Sequence, residues 1–189
     1  MKYIKSALLS SALFWLVGCA SAQKVAVLEP VGPAPGGSAT AQKQGTLQVY
    51  SARECPPVNL NAQEFFWNND FGKNAFLHYP AHTAYTILTP DGQIVQKVHN
   101  ATDLYDAQPT PVSLAPGFYR IRAVAEDYGT VTENVEIPVE IKAGETTAIH
   151  LASNWQAPAR SLNPNWVRMS NGQIVGWKVP QSEYLHAGN

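Results

Sequence analysis

The sequence predicts an all-β protein: a sandwich of short strands that carries an aromatic loop insertion and a C-terminal β-hairpin. Three observations favour this fold class. Apolar and polar residues alternate through much of the stretch from Val112 to Leu151, as in strands with one buried face. The chain has 14 prolines and 13 glycines, which suits many turns. Two sequences that favour hairpin turns, Pro90-Asp91-Gly92 and Asn171-Gly172, separate strand-like segments.

The N-terminal residues 1–18 have the pattern of an export signal. Lys2 and Lys5 precede an apolar core, Ala7 to Val17, which is too short to cross a bilayer as a mature helix. Its removal would leave 11 basic and 14 acidic side chains, a net charge of −3. An ordinary cleaved signal, with Ala20-Ser21-Ala22 as its cleavage site, is the alternative to the lipid-anchored form described next.

The end of this segment, Leu16-Val17-Gly18-Cys19, resembles the bacterial lipobox. The resemblance implies attachment of diacylglycerol to the Cys19 thiol, cleavage before Cys19 and acylation of the new amino terminus. Several acyl chains together make membrane anchoring stable. Ala20 stands where an Asp commonly retains Gram-negative lipoproteins in the inner membrane. The expected location is therefore the cell envelope, at the outer membrane.

Residues 19–44 are predicted to be a flexible linker that carries the lipid anchor. They are rich in small residues and proline, and this composition buries too little apolar area to offset its ordering entropy. As a random coil, the segment would hold the domain about 25–30 Å from the anchor. A short strand at Val25–Leu28 that docks on the domain is the alternative.

The sandwich domain is predicted over residues 45–152. Pro138 cannot donate to a β-ladder, so we expect it at a sheet edge or a bulge. Seven strands over about 108 residues match the size of an immunoglobulin-like antiparallel sandwich. The seven predicted segments lie near 47–51, 84–89, 93–100, 110–114, 119–126, 135–141 and 147–151.

The later part of this domain resembles a known class of module. The resemblance covers about residues 80–152, and two segments carry it: LAPGFYRIRAVAEDYG and VEIPVEIKAGETTAIHL. They look like the second half of carboxypeptidase-regulatory-like or PEGA-type domains, which implies an immunoglobulin- or transthyretin-like β-sandwich. Such modules accompany enzymes, receptors and surface proteins, so the resemblance implies no activity.

Aromatic residues supply the candidate ligand-binding surface. Trp67 and Tyr79 belong to an irregular aromatic loop, Val58 to Ala81, and Trp166 and Trp177 belong to the C-terminal tail. Exposed flat rings can stack on the apolar faces of sugars, which would make the domain a carbohydrate-binding module. The alternative, which we favour, is that these rings are buried anchors of the loop and the tail.

The tail, residues 153–189, contains a predicted hairpin at 165–179. A two-residue turn at Asn171-Gly172 would place Trp166 opposite Trp177 and Met169 opposite Ile174. Since an isolated hairpin is marginal in water, we expect it to dock on an edge of the sandwich.

Catalytic and cofactor chemistry is not expected from this sequence. A mildly acidic chain without a Lys/Arg cluster argues against nucleic-acid binding. His78 and His82 have a helical metal-site spacing, but Pro80 lies between them and turn or surface positions are favoured. Cys55 has no partner once Cys19 is acylated; a buried thiol is favoured over a redox group. The carboxylates show no distinctive arrangement, and no nucleophile motif is present.

These observations predict a non-catalytic module without cofactor or metal, tethered to the membrane by lipid. Its expected partner is another envelope protein, contacted through an aromatic or an edge-strand surface. Binding of cell-wall or exported polysaccharide is the second hypothesis. Exposed, coplanar rings would favour the polysaccharide, whereas buried rings would favour the protein partner.

Overall fold

The computed structural model describes residues 24–37, 43–53, 82–100, 108–126, 132–152, 155, 157, 165–180 and 183–185. Within them the chain forms eleven strands and one helical turn at 183–185, which confirms the all-β fold class. The strands are β1 (Ala26–Val27), β2 (Val31–Gly32), β3 (Gly45–Tyr50), β4 (Tyr85–Leu88), β5 (Ile94–Val98), β6 (Val112–Leu114), β7 (Gly117–Glu126), β8 (Thr132–Ile141), β9 (Thr146–His150), β10 (Trp166–Arg168) and β11 (Ile174–Lys178).

The strands form two sheets. The large sheet has the order β10-β11-β2-β8-β7-β4-β5, and β1 also pairs with β8; in the small sheet β3 lies between β6 and β9. Three pairings are parallel: β3 with β9, and both β1 and β2 with β8. The expected antiparallel sandwich over residues 45–152 is wrong at the β3–β9 pairing, because these strands are far apart in sequence and no short turn fixes their direction.

The core contains the alternate side chains that face inward from both sheets. β7 and β8 pair over ten residues, and the register partners Ile121 and Ile137 are fully buried. Leu47 on β3 and Ile149 on β9 belong to the same cluster from the small sheet. Each such side chain contributes about 1.5–3 kcal/mol by leaving water. The predicted alternation is confirmed for β3, β9 and the second half of β7, whereas β8 is buried at every residue from Val135 to Val139.

The turn between β4 and β5 has the predicted form. The Gly92 amide donates to the Thr89 carbonyl over 2.9 Å, and the Thr89 amide donates to the Gln93 carbonyl over 2.8 Å. Gly92 has a φ of 91°, in the left-handed region where only glycine avoids a Cβ penalty.

The C-terminal hairpin is confirmed, including the predicted pairing of Trp166 with Trp177. Its turn, however, is longer than expected. The Met169 amide donates to the Gln173 carbonyl, and Arg168 rather than Met169 lies opposite Ile174. A glycine that follows a type I turn adds one residue to the loop and produces this bulge.

The N-terminal segment is part of the folded domain. β1 and β2 run along β8, where Val31 is fully buried opposite Val139. The predicted linker over 19–44 is therefore wrong for these residues, and the alternative strand near Val25–Leu28 is the one observed. The composition was misleading because β-pairing satisfies the backbone of a segment that has few apolar side chains of its own.

Pro138 lies in β8, which is an interior strand rather than the expected edge. The proline sits where the ladder with the N-terminal segment is irregular. Val27 pairs with Glu136 and Val31 with Val139, so three residues on one side face two on the other. This bulge fits a residue that lacks an amide donor.

The hairpin extends the large sheet through β2 instead of docking on the edge of the predicted sandwich. Trp177 pairs with Gly32, and Lys178 with Val31. The docked N-terminal segment thus supplies β2, the strand with which the C-terminal hairpin pairs. The signal segment and the aromatic loop, with Cys19, Cys55, Trp67, His78 and Tyr79, lie outside the described residues.

Candidate functional surfaces

Aromatic and imidazole rings form a continuous packed group between the small sheet and the C-terminal hairpin. We call this group the aromatic array; it consists of Tyr50, His82, His150, Trp155, Trp166 and Trp177.

The array begins at the parallel pair of β3 and β9. Tyr50 and His150 are register partners, and their rings stack with centroids 4.6 Å apart and planes 18° apart. Trp155 stacks on the other side of His150 at 4.0 Å and 4°. His82 meets Tyr50 edge to face at 5.7 Å. The imidazole of His150 is therefore held between two aromatic faces.

The array ends at the two tryptophans of the hairpin. Trp166 and Trp177 have centroids 4.7 Å apart with planes tilted by 40°, and the edge of Trp155 meets both. Trp166 is buried, with 6% of its surface exposed, whereas Trp177 is half-buried. These rings pack mainly on one another, and the hairpin pair does not form a flat platform.

Burial lowers the pKa of His150 to about 4. An unfolded histidine has a pKa near 6.5, so over the interval between these values only the unfolded chain binds the proton. The contribution of His150 to the free energy of unfolding is therefore fully present above about pH 6.5 and is lost as the pH falls toward 4. At neutral pH the imidazole is uncharged, which suits its place between two rings.

His150→Phe, which keeps a flat ring, is expected to weaken the pH dependence of unfolding. Because His150 retains some solvent contact, we expect the parent to lose about 2 kcal/mol more than the variant between pH 7 and pH 4.5. Urea titrations at several pH values measure this. The matched control is His99→Phe, at an exposed position just after β5. Equal pH slopes for the parent and His150→Phe would contradict the prediction.

His82 is a core residue rather than the turn or surface residue expected. It is 2% exposed, and its Nδ1 donates to the Ser51 carbonyl over 2.6 Å, since a carbonyl can only accept. Within the described ranges, no group of three or more His, Cys, Asp or Glu side chains could hold a metal ion.

The candidate binding residues fall into two groups. Trp166 and Trp177 are brought together in the array, and Trp67 and Tyr79 lie outside the described residues. Sequence reasoning gives no sign of Tyr50 and His150, because each has the alternating pattern of an ordinary strand residue. Only the parallel register of β3 and β9 brings them together, and no local sequence pattern carries that register.

A charged cluster lies on the outer face of the large sheet. Glu136 is 4% exposed and pairs with Arg120 through Oε1, while its Oε2 accepts from Arg122 Nε at 3.2 Å and Nη2 at 3.0 Å. Two guanidinium groups compensate the desolvation of this carboxylate. The cluster is a structural ion-pair network, fixed by the neighbouring strands β7 and β8.

A groove lined by apolar residues and by the Lys178–Glu29 ion pair lies on the same outer face, between the two ends of the described chain. Its volume is about 730 Å³. The short helical turn that closes one side is held by an edge-to-face contact of Tyr184 with Phe118 at 5.8 Å. We call this the terminal groove; its lining includes Val27, Leu28, Pro138, Val179, Tyr184 and Leu185.

The far end of the large sheet is an exposed edge. β5 is the last strand in the order, and in the described part of the chain it pairs only with β4. Ile94 and Val95 are 62% and 44% exposed. Such an edge offers unpaired backbone groups beside apolar side chains, which is the requirement for binding an additional strand.

Among the helices of the described residues, none has the length and apolar character needed to cross a membrane. Comparisons of the chain with protein-family models, with curated proteins and with solved structures gave no match.

Proposed function

We propose that this protein is a lipid-anchored, non-catalytic module of the cell envelope, held at the outer membrane through Cys19, which binds another envelope protein. The observation that carries the binding role is the edge of β5, which in the described part of the chain pairs only with β4 and exposes Ile94 and Val95. An extended segment of a partner adds to such an edge through main-chain hydrogen bonds, and exposed side chains such as these give selectivity.

The packing of the aromatic array supports the protein partner over the polysaccharide. Sugar-binding platforms need exposed, coplanar rings, whereas Trp166 is buried and lies at 40° to Trp177. The array joins β3, β9 and the C-terminal hairpin, which is the role of an aromatic anchor. Because Trp67 and Tyr79 lie outside the described residues, polysaccharide binding stays the second hypothesis.

We further propose that residues 45–152 form the immunoglobulin-like sandwich of the carboxypeptidase-regulatory-like or PEGA-type class, in its transthyretin-like variant. Seven strands, β3 to β9, lie in this range. The first of them, β3, lies between β6 and the last, β9, and the other four have the order β5-β4-β7-β8. This order supports the transthyretin-like arrangement, in which the first and last strands pair in the same sheet.

Cys19→Ala is expected to release the protein from the membrane, because it removes the thiol that would carry diacylglycerol. Cells are grown with labelled palmitate, and label and protein are followed through membrane fractionation. The matched control is Cys55→Ala, which removes the other cysteine and should keep both label and membrane association. A Cys19→Ala protein that still carries label, or a mature chain that begins after Ala22, would contradict lipid anchoring.

A photoreactive amino acid at Val95 is expected to give a discrete protein adduct in intact cells, because β5 presents a free edge there. The control position is Asn171, which is exposed at the tip of the C-terminal hairpin. Mass spectrometry of the adduct identifies the partner. Equal labelling at both positions would show that the β5 edge is not selective.

The polysaccharide alternative has a separate test. Tryptophan fluorescence of the purified protein is followed during titration with peptidoglycan fragments and a panel of polysaccharides. A saturable shift of emission with one glycan, together with access of a neutral quencher to several tryptophans, would replace the protein-partner proposal. Shielded tryptophans and an unchanged signal are expected here, because the described rings pack on one another.

A further inference from the structure

Five large apolar side chains are exposed in the described residues. Ile94 and Val95 lie on β5, Val25 and Val27 lie beside or in β1, and Leu185 lies in the C-terminal helical turn. Val25 is 37% exposed, Val27 68% and Leu185 60%. Val27 and Leu185 also line the terminal groove. A groove whose rim exposes such apolar side chains to solvent is a candidate interaction surface.

The position of the chain indicates what covers this surface. The described chain begins at Lys24, beside Val25 and Val27, and Cys19 is only five residues upstream. Five residues span at most about 18 Å, even when fully extended. Because Ala26 and Val27 pair with β8, and Val31 pairs with it again further on, this segment adds no length to the tether. A lipid on Cys19 therefore keeps this end of the large sheet close to the bilayer.

We propose that the terminal groove docks on the lipid bilayer, with Val27 and Leu185 entering the interface between headgroups and acyl chains. This inference rests on the proposed lipid anchor. Tyr184, which also lines the groove, has an apolar ring with a polar tip, the combination favoured at membrane interfaces. A short tether makes this contact intramolecular, so a small apolar surface suffices for docking. The β5 edge is separated from β8, which contributes Pro138 to the groove, by β7 and β4.

The test uses the full chain with its anchor, in a Cys55→Ser background, reconstituted into phosphatidylcholine–phosphatidylglycerol vesicles. An environment-sensitive fluorophore is attached to Leu185→Cys in one sample. In the control it is attached to Ile94→Cys, an apolar position of nearly equal exposure, 62% against 60%. With brominated acyl chains in the vesicles, we expect quenching of the Leu185 label by about twofold or more, and little quenching of the Ile94 label.

Each outcome decides between the possibilities. Weak, equal quenching at both positions in a protein that floats with the vesicles would keep the anchor and overturn the docked groove. Leu185 emission that depends on protein density rather than on bromination would show that a second copy fills the groove, which also overturns the inference. A protein that fails to float with the vesicles would overturn the anchor, and the groove proposal with it.

Discussion

Val31→Asp is expected to lower the free energy of unfolding by about 3–5 kcal/mol, the cost of an uncompensated buried charge. Val31 is fully buried and lies between Val139 of β8 and Lys178 of β11 in the sheet. The substitution therefore breaks the joint between the sandwich and the hairpin. Urea denaturation gives the magnitude, and hydrogen exchange should show loss of protection in β10 and β11.

The matched control is Val27→Asp, four residues before Val31 in the docked N-terminal segment but 68% exposed. It makes the same chemical change in water and should alter stability by less than about 0.5 kcal/mol. Similar losses of stability in the two variants would mean that the segment responds in the same way to an acidic residue at either position. Burial of Val31 would then not be the cause of the loss.

Gly45→Ala is expected to destabilise the protein by about 3 kcal/mol, at the upper end of the range for overpacking. A Cβ on Gly45 would overlap the carbonyl oxygen of Lys142 and lie 2.6 Å from Cγ2 of Ile141. Because backbone atoms cannot rotate aside, β3 would have to move away from the turn that joins β8 and β9. Thermal and urea unfolding measure the loss.

Gly37→Ala is the control for this change, since the nearest atom to a Cβ there, the Ala34 carbonyl oxygen, is 3.6 Å away, an ordinary contact distance. It should leave stability within about 0.5 kcal/mol of the parent. If Gly45→Ala were equally mild, the close approach of β3 to Lys142 would not be a constraint on the fold.

Sequence reasoning succeeded where the determining contacts are local. The period-two alternation of β7 and β9 is set by one buried face, and the turn at Gly92 needs a residue that tolerates positive φ. The Asn171-Gly172 turn similarly brought Trp166 opposite Trp177. The bulge beside it was missed because the turn type depends on one extra residue in the loop.

Sequence reasoning failed where partners are distant. β1 and β2 are two residues long and pair with β8 more than 100 residues later, so their own composition resembles a linker. The aromatic array was hidden for the same reason. Tyr50 and His150 stack only because β3 pairs with β9 in parallel, a register that no turn between them determines.

The place of β2 has a consequence for the order of folding. β2 lies between β8 and β11, so one of the first strands to be synthesised is flanked by one of the last. The large sheet cannot be completed until Trp177 and Lys178 are available to pair with Gly32 and Val31. These contacts are among the most distant along the sequence, and closing such long loops slows folding. The nascent chain therefore stays incompletely folded until residues 174–178 have been made.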